Sequence, residues 1–311
     1  MPEGDPRMTP PFIQANTNGR LHSAHEASIT PLSRGFLYGD AIYEVWRSYD
    51  GGLFAWEEHF VRLEASARSV YMELSFSRAT ILGEIRRTVA AFRTTTGFRG
   101  DVYVRLQVWR GAGPIGLDTA LADRAEFVLL VQPCPVPSPE KLRTGLSLSL
   151  ATSLRRNPIE SLSPAWKTGN ALNAILGLRE ARARGADEVI MLNLRGEVTE
   201  AAVANVAFVR EGVIVTPPLE AGILSGITRQ LMLGPVAAQI GIPTKVEVLT
   251  PADFPAMSEC FLLSTTRDVM PVASLDDQKF RVGEGTVGAR LKAAFGDYAR
   301  DYVRRHPELA V

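Results

Sequence analysis

Four prolines in seven residues interrupt the chain near its middle, in Pro133-Cys-Pro-Val-Pro-Ser-Pro139. Proline lacks a backbone N–H and has a fixed φ, so this stretch can continue neither a helix nor the hydrogen-bonded ladder of a sheet. A chain of 311 residues is also long for a single hydrophobic core. We therefore predict two domains, over residues 1–132 and 145–311, joined by a linker over residues 133–144.

The first half of the chain switches between two hydrophobic periods. β-Branched, aromatic and alternating apolar residues predict strands over residues 41–47, 101–110 and 125–132. Apolar residues at three- and four-residue steps predict amphipathic helices over residues 56–71 and 78–92. This half is therefore expected to combine a sheet with helices.

The second half shows the same mixture. Four segments have the composition of strands: residues 146–152, 188–192, 203–209 and 213–216. Helical patterns cover residues 169–184 and 225–240, and a glycine follows each of them as a stop signal. Strands and helices in both halves indicate an α/β or α+β fold.

The charge balance limits the kinds of partner. Lys and Arg total 34, as do Asp and Glu, so the formal net charge is zero and nothing suggests a nucleic-acid or membrane-surface partner. No apolar run approaches the roughly 18 residues of a membrane span. The first residues lack the basic start and apolar stretch of a signal peptide, so a cytoplasmic location is predicted.

Metal and disulfide sites also lack support. The four histidines, at positions 22, 25, 59 and 306, form no zinc-binding pattern, and we expect no metal site. Cys134 and Cys260 are the only cysteines, too few for a disulfide framework. Both are expected to be buried or inert.

Lysine is rare in this chain. It supplies 5 of the 34 basic residues, and only its amine, unlike a guanidinium, can form a Schiff base. Lys167 lies in Ser163-Pro-Ala-Trp-Lys-Thr-Gly-Asn170, just ahead of a predicted helix that Thr168 or Asn170 is expected to cap. Taken alone, this segment is explained as simply by a solvated lysine at a helix start.

Three further segments suit a flat, phosphorylated ligand. Glu200 is followed by small or amide side chains, which leave space beside its carboxylate. Residues 222–229 form a glycine-containing loop before the helix that Ser225 is expected to cap, where free N–H groups and the Thr228 hydroxyl favour a phosphate. Residues 263–268 place three hydroxyls after a strand. Each segment alone has an ordinary explanation: an edge-strand glutamate, a capped helix or a simple turn.

With its amine, carboxylate, phosphate loop and hydroxyl cluster in this order, the chain resembles the class IV aminotransferases. These fold-type IV pyridoxal-phosphate enzymes include branched-chain and D-amino-acid aminotransferases and aminodeoxychorismate lyase. The resemblance extends from about Ser33 to Pro271, and segments 33–44 and 58–63 also match. It implies a smaller N-terminal α/β domain, a larger C-terminal pseudo-barrel α/β domain, and a homodimer with pyridoxal 5′-phosphate between the domains.

The resemblance also implies roles for single residues. Lys167 would carry the cofactor as a Schiff base and move a proton, and Glu200 would face the pyridine nitrogen. The other implied cofactor contacts are Arg62 at the phosphate, Leu224 against the ring, Ile227 and Thr228 at the helix start, and Thr265. Ala171 and Ala202 are smaller than the residues of many relatives at these positions, which implies fewer supporting contacts around the cofactor.

The substrate side is less constrained. Tyr103-Val-Arg105 is similar to branched-chain enzymes, where the tyrosine helps to hold the α-carboxylate and the arginine holds the distal carboxylate of glutamate. This similarity favours a branched-chain L-amino acid and a 2-oxo acid such as 2-oxoglutarate. Tyr38, Tyr43 and Thr266 are further implied substrate contacts.

Three alternatives stay open. Tyr43-Glu-Val and Ser264-Thr-Thr look closer to D-amino-acid aminotransferases, although their usual Arg-x-His carboxylate trap is absent from loop 111–118. Aminodeoxychorismate lyase is the next alternative, but Thr-Gly-Asn follows Lys167 where some lyases have His-Leu-Asn-Arg. The last alternative is a non-enzymatic α/β binding protein. Uptake of pyridoxal phosphate is expected of the enzyme and not of this binding protein.

Overall fold

The computed structural model describes residues 12–122 and 124–311. Within these residues the chain forms two β-sheets, one from each half of the sequence, with helices packed against them. The predicted mixed α/β class is confirmed. Cys134 and Cys260 are both buried, as predicted.

Over residues 12–122 and 124–133 the first sheet has six strands, and all of its neighbouring strands are antiparallel. They are β1 (Gln14–Thr17), β2 (Arg20–Ser23), β3 (Ala41–Tyr49), β4 (Gly52–Leu53), β5 (Val102–Trp109) and β6 (Glu126–Pro133). Their order is β2-β1-β6-β5-β3-β4. The three predicted strands correspond to β3, β5 and β6 to within two residues. The sequence also predicts a hairpin turn at residues 50–52 with a strand resuming at Leu53, which corresponds to β4 paired with β3, and β1 and β2 are additional.

Three helices belong to this half: α1 (Arg34–Tyr38), α2 (Trp56–Ser69) and α3 (Arg78–Thr96). The Ser77 hydroxyl caps α3 by accepting a hydrogen bond from the Thr80 N–H at 3.1 Å. The helix runs four residues beyond the predicted end because its stop is Gly97, whose φ of 71° is left-handed. The preceding threonines stay helical, and the Thr96 hydroxyl donates to the Phe92 carbonyl.

The second sheet has nine strands in the described residues. They are β7 (Leu146–Leu150), β8 (Glu188–Leu192), β9 (Val198–Ala201), β10 (Asn205–Arg210), β11 (Val213–Thr216), β12 (Thr244–Val246), β13 (Glu259–Ser264), β14 (Asp268–Leu275) and β15 (Gln278–Lys279). The order is β12-β11-β10-β13-β14-β7-β8-β9, with β15 on β14. A three-residue connection joins the edge strand β9 to the interior strand β10. The sheet therefore curls on itself, as the predicted pseudo-barrel requires.

The helices of this half are α4 (Pro139–Thr144), α5 (Leu172–Ala183), α6 (Ile227–Leu231), α7 (Ala237–Gln239) and α8 (Val287–Arg305). The prediction that Thr168 or Asn170 caps α5 is wrong, because its N-cap is Ala171 without a side-chain bond. Asn170 donates instead to the Gly39 carbonyl at 3.0 Å. The segment before α5 is held by the first sheet: the Tyr43 N–H donates to the Lys167 carbonyl at 2.9 Å.

The single helix predicted over residues 225–240 is three pieces. Gly226, not Ser225, is the N-cap of α6. A π-helical turn over Met232–Val236 then separates α6 from α7. Pro235 lies inside this turn, and a proline cannot donate the backbone hydrogen bond that a continuous α-helix needs.

One hydrophobic cluster joins the two sheets. It contains Trp46 of β3, Phe261 of β13 and Phe295 of α8. Rings of Phe54 and Phe295 meet edge to face with centroids 5.6 Å apart. The boundary at residues 133–144 stays a prediction, which the division into two sheets supports. In the described part of the chain, no helix has both the length and the apolar character of a membrane span.

Candidate active site

Both halves of the chain line a cavity of about 400 Å³. Its walls include β3, β5, the Lys167 segment, β9 and the turn after β13. The predicted site residues on its wall are Tyr43, Arg62, Tyr103, Arg105, Lys167, Glu200, Leu224, Ile227, Thr228, Thr265 and Thr266. The fold therefore brings together groups that lie far apart in the sequence.

Lys167 is fixed through its backbone on two sides. Its N–H donates to the buried Ser66 hydroxyl of α2 at 3.1 Å, and its carbonyl accepts the Tyr43 N–H of β3. The Nζ atom lies 4.3 Å from the centre of the Tyr43 ring. Lys167 is thus anchored through its backbone, and its amine lies against Tyr43 at the cavity wall.

Tyr43 lies beside two cations. The guanidinium carbon of Arg105 lies 3.9 Å from the centre of its ring, close to the Lys167 amine. Burial raises the pKa of the phenol, but the charges of Lys167 and Arg105 outweigh burial, and the pKa falls below its usual value. This wall of the cavity is therefore electropositive, which suits the carboxylate of an amino acid.

Glu200 of β9 is buried and accepts four hydrogen bonds. Arg156 donates to Oε1 from Nη2 at 2.7 Å and from Nε at 3.1 Å. Oε2 accepts the Asn205 side-chain amide at 2.9 Å and the Leu224 N–H at 3.1 Å. Burial raises the pKa of Glu200 above its usual value, although Arg156 and the Leu224 N–H oppose this shift. A cationic N–H of a ligand would compensate this carboxylate further.

Arg156 and Asn205 are site residues that sequence reasoning missed. Asn205 occurs within the segment that indicated space beside Glu200, and it supports both Glu200 and the Leu224 carbonyl. Arg156 lies 44 positions before Glu200, in an irregular segment with no periodic pattern. Only the preference of a buried carboxylate for a cationic partner hinted at such a residue.

Arg62 of α2 links two walls of the site. Its Nε and Nη2 donate to the two oxygens of buried Glu44 at 2.7 and 2.9 Å, and its Nη1 donates to the Ser225 carbonyl at 2.9 Å. Burial raises the pKa of Glu44, but Arg62 and the neighbouring His59 hold it well below its usual range. The guanidinium is thereby oriented beside the loop that precedes α6.

The start of α6 is shaped by a close approach. A Cβ on Gly226 would lie 2.0 Å from the Asn205 side-chain oxygen, so only glycine fits at this N-cap. Ile227 and Thr228 then begin the helix, where backbone N–H groups have no partner within the helix. Such a helix start favours an anionic group.

One hydroxyl at the cavity needs a partner. The Ser264 Oγ is buried and has no hydrogen-bond partner among the described residues, and Ser264 lines the cavity beside Thr265 and Thr266. A buried hydroxyl without a partner is costly, which indicates that a ligand supplies one. The amine, the carboxylate, the helix start and this hydroxyl together fit pyridoxal phosphate.

Tyr38 lies elsewhere in the described chain. Its hydroxyl accepts the Gly116 N–H at 3.0 Å, and its ring lies beside Arg34. It does not line the cavity formed by its own chain. Its contact with substrate therefore stays a prediction.

Comparison with known sequences gives a family. The model of the class IV amino-transferase family matches residues 41–275, more than half of the chain. A putative branched-chain-amino-acid aminotransferase of Methanocaldococcus jannaschii is 31% identical over 281 residues, 90% of this chain and 94% of the relative. A D-alanine aminotransferase of Bacillus licheniformis is 32% identical over 277 residues, 88% of this chain and 92% of the relative.

A solved structure agrees with these sequences. The branched-chain aminotransferase of the thermophilic archaeon Thermoproteus uzoniensis, solved with norvaline, has a TM-score of 0.83 and 28% identity. The match covers 94% of this chain and 98% of that chain. The similarity of fold thus extends over nearly the whole of both chains.

Proposed function

The chain belongs to the class IV aminotransferase family, and from this premise we propose that it transfers the amino group of a branched-chain L-amino acid to a 2-oxo acid such as 2-oxoglutarate. Membership makes the chain an aminotransferase of a pyridoxal-phosphate-dependent family, which removes the hypothesis of a non-enzymatic binding protein. The observation that supports the proposal most is the shared cavity of Lys167, Glu200 and the start of α6.

The residues that would hold pyridoxal 5′-phosphate form two groups. Arg62, Thr228 and Thr265 would bind the phosphate, together with the N–H of Ile227 at the start of α6. Glu200 would bind the ring nitrogen, while Leu224 packs against the ring. The bound cofactor supplies a carbonyl that condenses with amines and a ring that withdraws electrons from the substrate α-carbon.

Three side chains would then move the substrate proton, protonate the ring nitrogen and orient the carboxylate beside it. Lys167 would attach the cofactor and, once released by the substrate amine, carry the proton to and from the α-carbon. Glu200 would hold a proton on the ring nitrogen, because its buried carboxylate gains a cationic partner there. Arg156 keeps that carboxylate oriented through two hydrogen bonds.

Two features support the choice of substrate. Tyr103, Arg105 and Thr266 line the cavity, and Arg105 donates to the neutral Gln107 at 2.8 Å. A guanidinium placed this way suits the distal carboxylate of a glutamate-like substrate. The rest of the wall offers apolar surface to a branched side chain, from Val45, Leu162, Ile175, Leu178 and Val203.

A half-reaction panel tests the proposal. Purified holoprotein is mixed with single L- and D-amino acids in the absence of a 2-oxo acid, and the visible absorbance of the Lys167-bound cofactor is followed. We expect L-leucine, L-isoleucine and L-glutamate to remove this absorbance rapidly, and 2-oxoglutarate to restore it. A colourless protein that takes up no pyridoxal phosphate would overturn the proposal.

A D-amino-acid aminotransferase is the second candidate function. It is favoured by the 32% identity to the Bacillus licheniformis D-alanine enzyme and by the segment Tyr43-Glu-Val on β3, which looks closer to D-amino-acid aminotransferases. Loss of the absorbance with D-alanine but not with L-leucine would establish it. Release of pyruvate from 4-amino-4-deoxychorismate, with neither amino acid reacting, would establish the lyase.

We also propose that the protein is a homodimer. Large apolar side chains are exposed at Phe36 of α1 and at Ile115 and Leu117 of the neighbouring loop, where 70 to 78% of each residue is accessible. Such a cluster favours burial against a second copy. Sedimentation velocity is expected to give twice the chain mass of 33.9 kDa, and a species of one chain mass would contradict the dimer.

A further inference from the structure

A buried ionic cluster lies behind the turn that carries Thr265 and Thr266. Asp268, the first residue of β14, accepts hydrogen bonds from Arg47 Nη1 at 3.1 and 3.2 Å and from the Tyr49 hydroxyl at 2.5 Å. The Lys292 amine of α8 lies 3.9 Å from Oδ2 of the same carboxylate. Only 15% of the Asp268 side chain is exposed. Three side chains from two other elements therefore converge on one carboxylate.

These four residues are not part of the cavity wall. They form no contact that the proposed reaction uses, yet β3 carries both Arg47 and Tyr49 as well as Tyr43, which lies at the Lys167 amine. The ring of Tyr49 also stacks under the Arg47 guanidinium, 4.2 Å from the guanidinium carbon. The cluster is thus a rigid connection between the substrate side of β3 and the end of the hairpin.

Asp268 also closes the turn through its backbone conformation. The hairpin has three loop residues, 265–267, and Ser264 pairs with Asp268 across it. Asp268 has a left-handed φ of 55°, the conformation that closes a three-residue hairpin loop and that glycine or asparagine adopts more readily. Aspartate tolerates this conformation, so Asp268 can close the loop while its carboxylate ties the closed loop to β3 and α8.

We propose that Asp268 is a positioning residue that holds the Thr265–Thr266 turn against β3. Its carboxylate fixes the positions, relative to Lys167, of Thr265 on the phosphate side and of Thr266 on the substrate side. The inference rests on the proposed function, because that function assigns the roles of Thr265 and Thr266. It predicts that the cluster controls binding at the turn and leaves the proton transfer by Lys167 almost unchanged.

The test compares Asp268→Asn with Asp276→Asn. Asparagine keeps the size of aspartate and its tolerance of a left-handed φ, so Asp268→Asn removes the charge while keeping the turn residue. Asp276 is the matched control: it also has a left-handed φ, follows the other end of β14, and accepts hydrogen bonds from Ser149 and Leu150 far from the cavity. Tyr49→Phe is a second variant that removes one hydrogen bond to Asp268.

Three measurements are made on each variant. Hydrogen–deuterium exchange of the cofactor-free protein reports the opening of residues 264–267. Titration with pyridoxal phosphate gives its Kd, and half-reaction kinetics separate KM from kcat. We expect Asp268→Asn to speed exchange in this peptide and to raise Kd and KM by about tenfold, with kcat nearly unchanged. Tyr49→Phe is expected to produce smaller shifts in the same direction.

Two outcomes would contradict the positioning role of Asp268. Exchange, Kd and KM that match those of Asp276→Asn, or a fall in kcat with KM unchanged, would overturn the positioning role. Failure of the wild-type protein to bind pyridoxal phosphate would instead overturn the proposed function. The exchange measurement needs no cofactor, so it still decides whether Asp268 holds the turn.

Discussion

Replacing Lys167 with alanine is expected to reduce kcat for transamination by about 10⁴-fold, the upper end for removal of a positioned acid–base group. The variant loses both the amine that attaches the cofactor and the base that moves the α-proton. Its fold should survive, because Lys167 is anchored through its backbone to Ser66 and Tyr43. Single-turnover kinetics with L-leucine would measure the loss.

Two further variants sharpen this test. Lys167→Arg retains the positive charge beside Tyr43 but cannot form the covalent bond, so it is expected to be as inactive as the alanine variant. Lys141→Ala removes a surface lysine that pairs with Asp187 and should retain full activity. Borohydride followed by peptide mapping should label Lys167 in the wild type. A label on another lysine, with Lys167→Ala still active, would contradict the assignment.

Replacing Glu200 with glutamine is expected to reduce kcat by about 10²- to 10³-fold, the range for loss of one preorganised electrostatic group. The glutamine oxygen can occupy the Oε1 position and still accept both Arg156 hydrogen bonds, but the NH2 group in the Oε2 position cannot accept those from Leu224 and Asn205. The loss that matters for catalysis is the negative charge that would keep a proton on the ring nitrogen. The effect should therefore appear in kcat more than in KM.

The matched control for this variant is Glu259→Gln. Glu259, the first residue of β13, is also buried and paired with an arginine, Arg281, but its carboxylate accepts the N–H groups of Val287 and Gly288 at the start of α8 and does not line the cavity. Urea unfolding of both variants separates lost stability from lost catalysis, since either change leaves a backbone N–H facing an amide NH2 group at a cost of about 1–3 kcal/mol. A Glu200→Gln enzyme as fast as Glu259→Gln would contradict the electrostatic role.

Local sequence patterns predicted most of the first half. Apolar residues alternate with polar ones over residues 101–110 because one face of the strand is buried in the core. The strand β5 matches this predicted range to within one residue at each end. The patterns predicted the wrong helix boundaries where tertiary contacts or a proline prevent helical hydrogen bonds. Gly169 is not part of the predicted helix because its N–H donates to the Ala41 carbonyl of β3, and Pro235 lies in the turn that divides the helix after Gly226.

The candidate site divides in a similar way. Lys167, Glu200, Thr228 and Thr265 could be proposed from the sequence because their order along the chain resembles a known family. Arg156 could not, since a partner 44 positions away in an irregular segment leaves no periodic trace. Nor could the Arg47–Asp268 pair, whose members lie 221 positions apart.

By itself, the sequence determined which chemical groups the protein carries, the mixed α/β class and the family. These depend on residue types and on local spacing, which a single chain displays directly. Only the tertiary structure decided which charges meet: the partner of Glu200, the anchoring of Arg62 by Glu44, and the cluster at Asp268. Burial strengthens those pairings, and burial and pairing together shift the pKa values of Glu200 and Glu44. Burial is a property of the assembled fold.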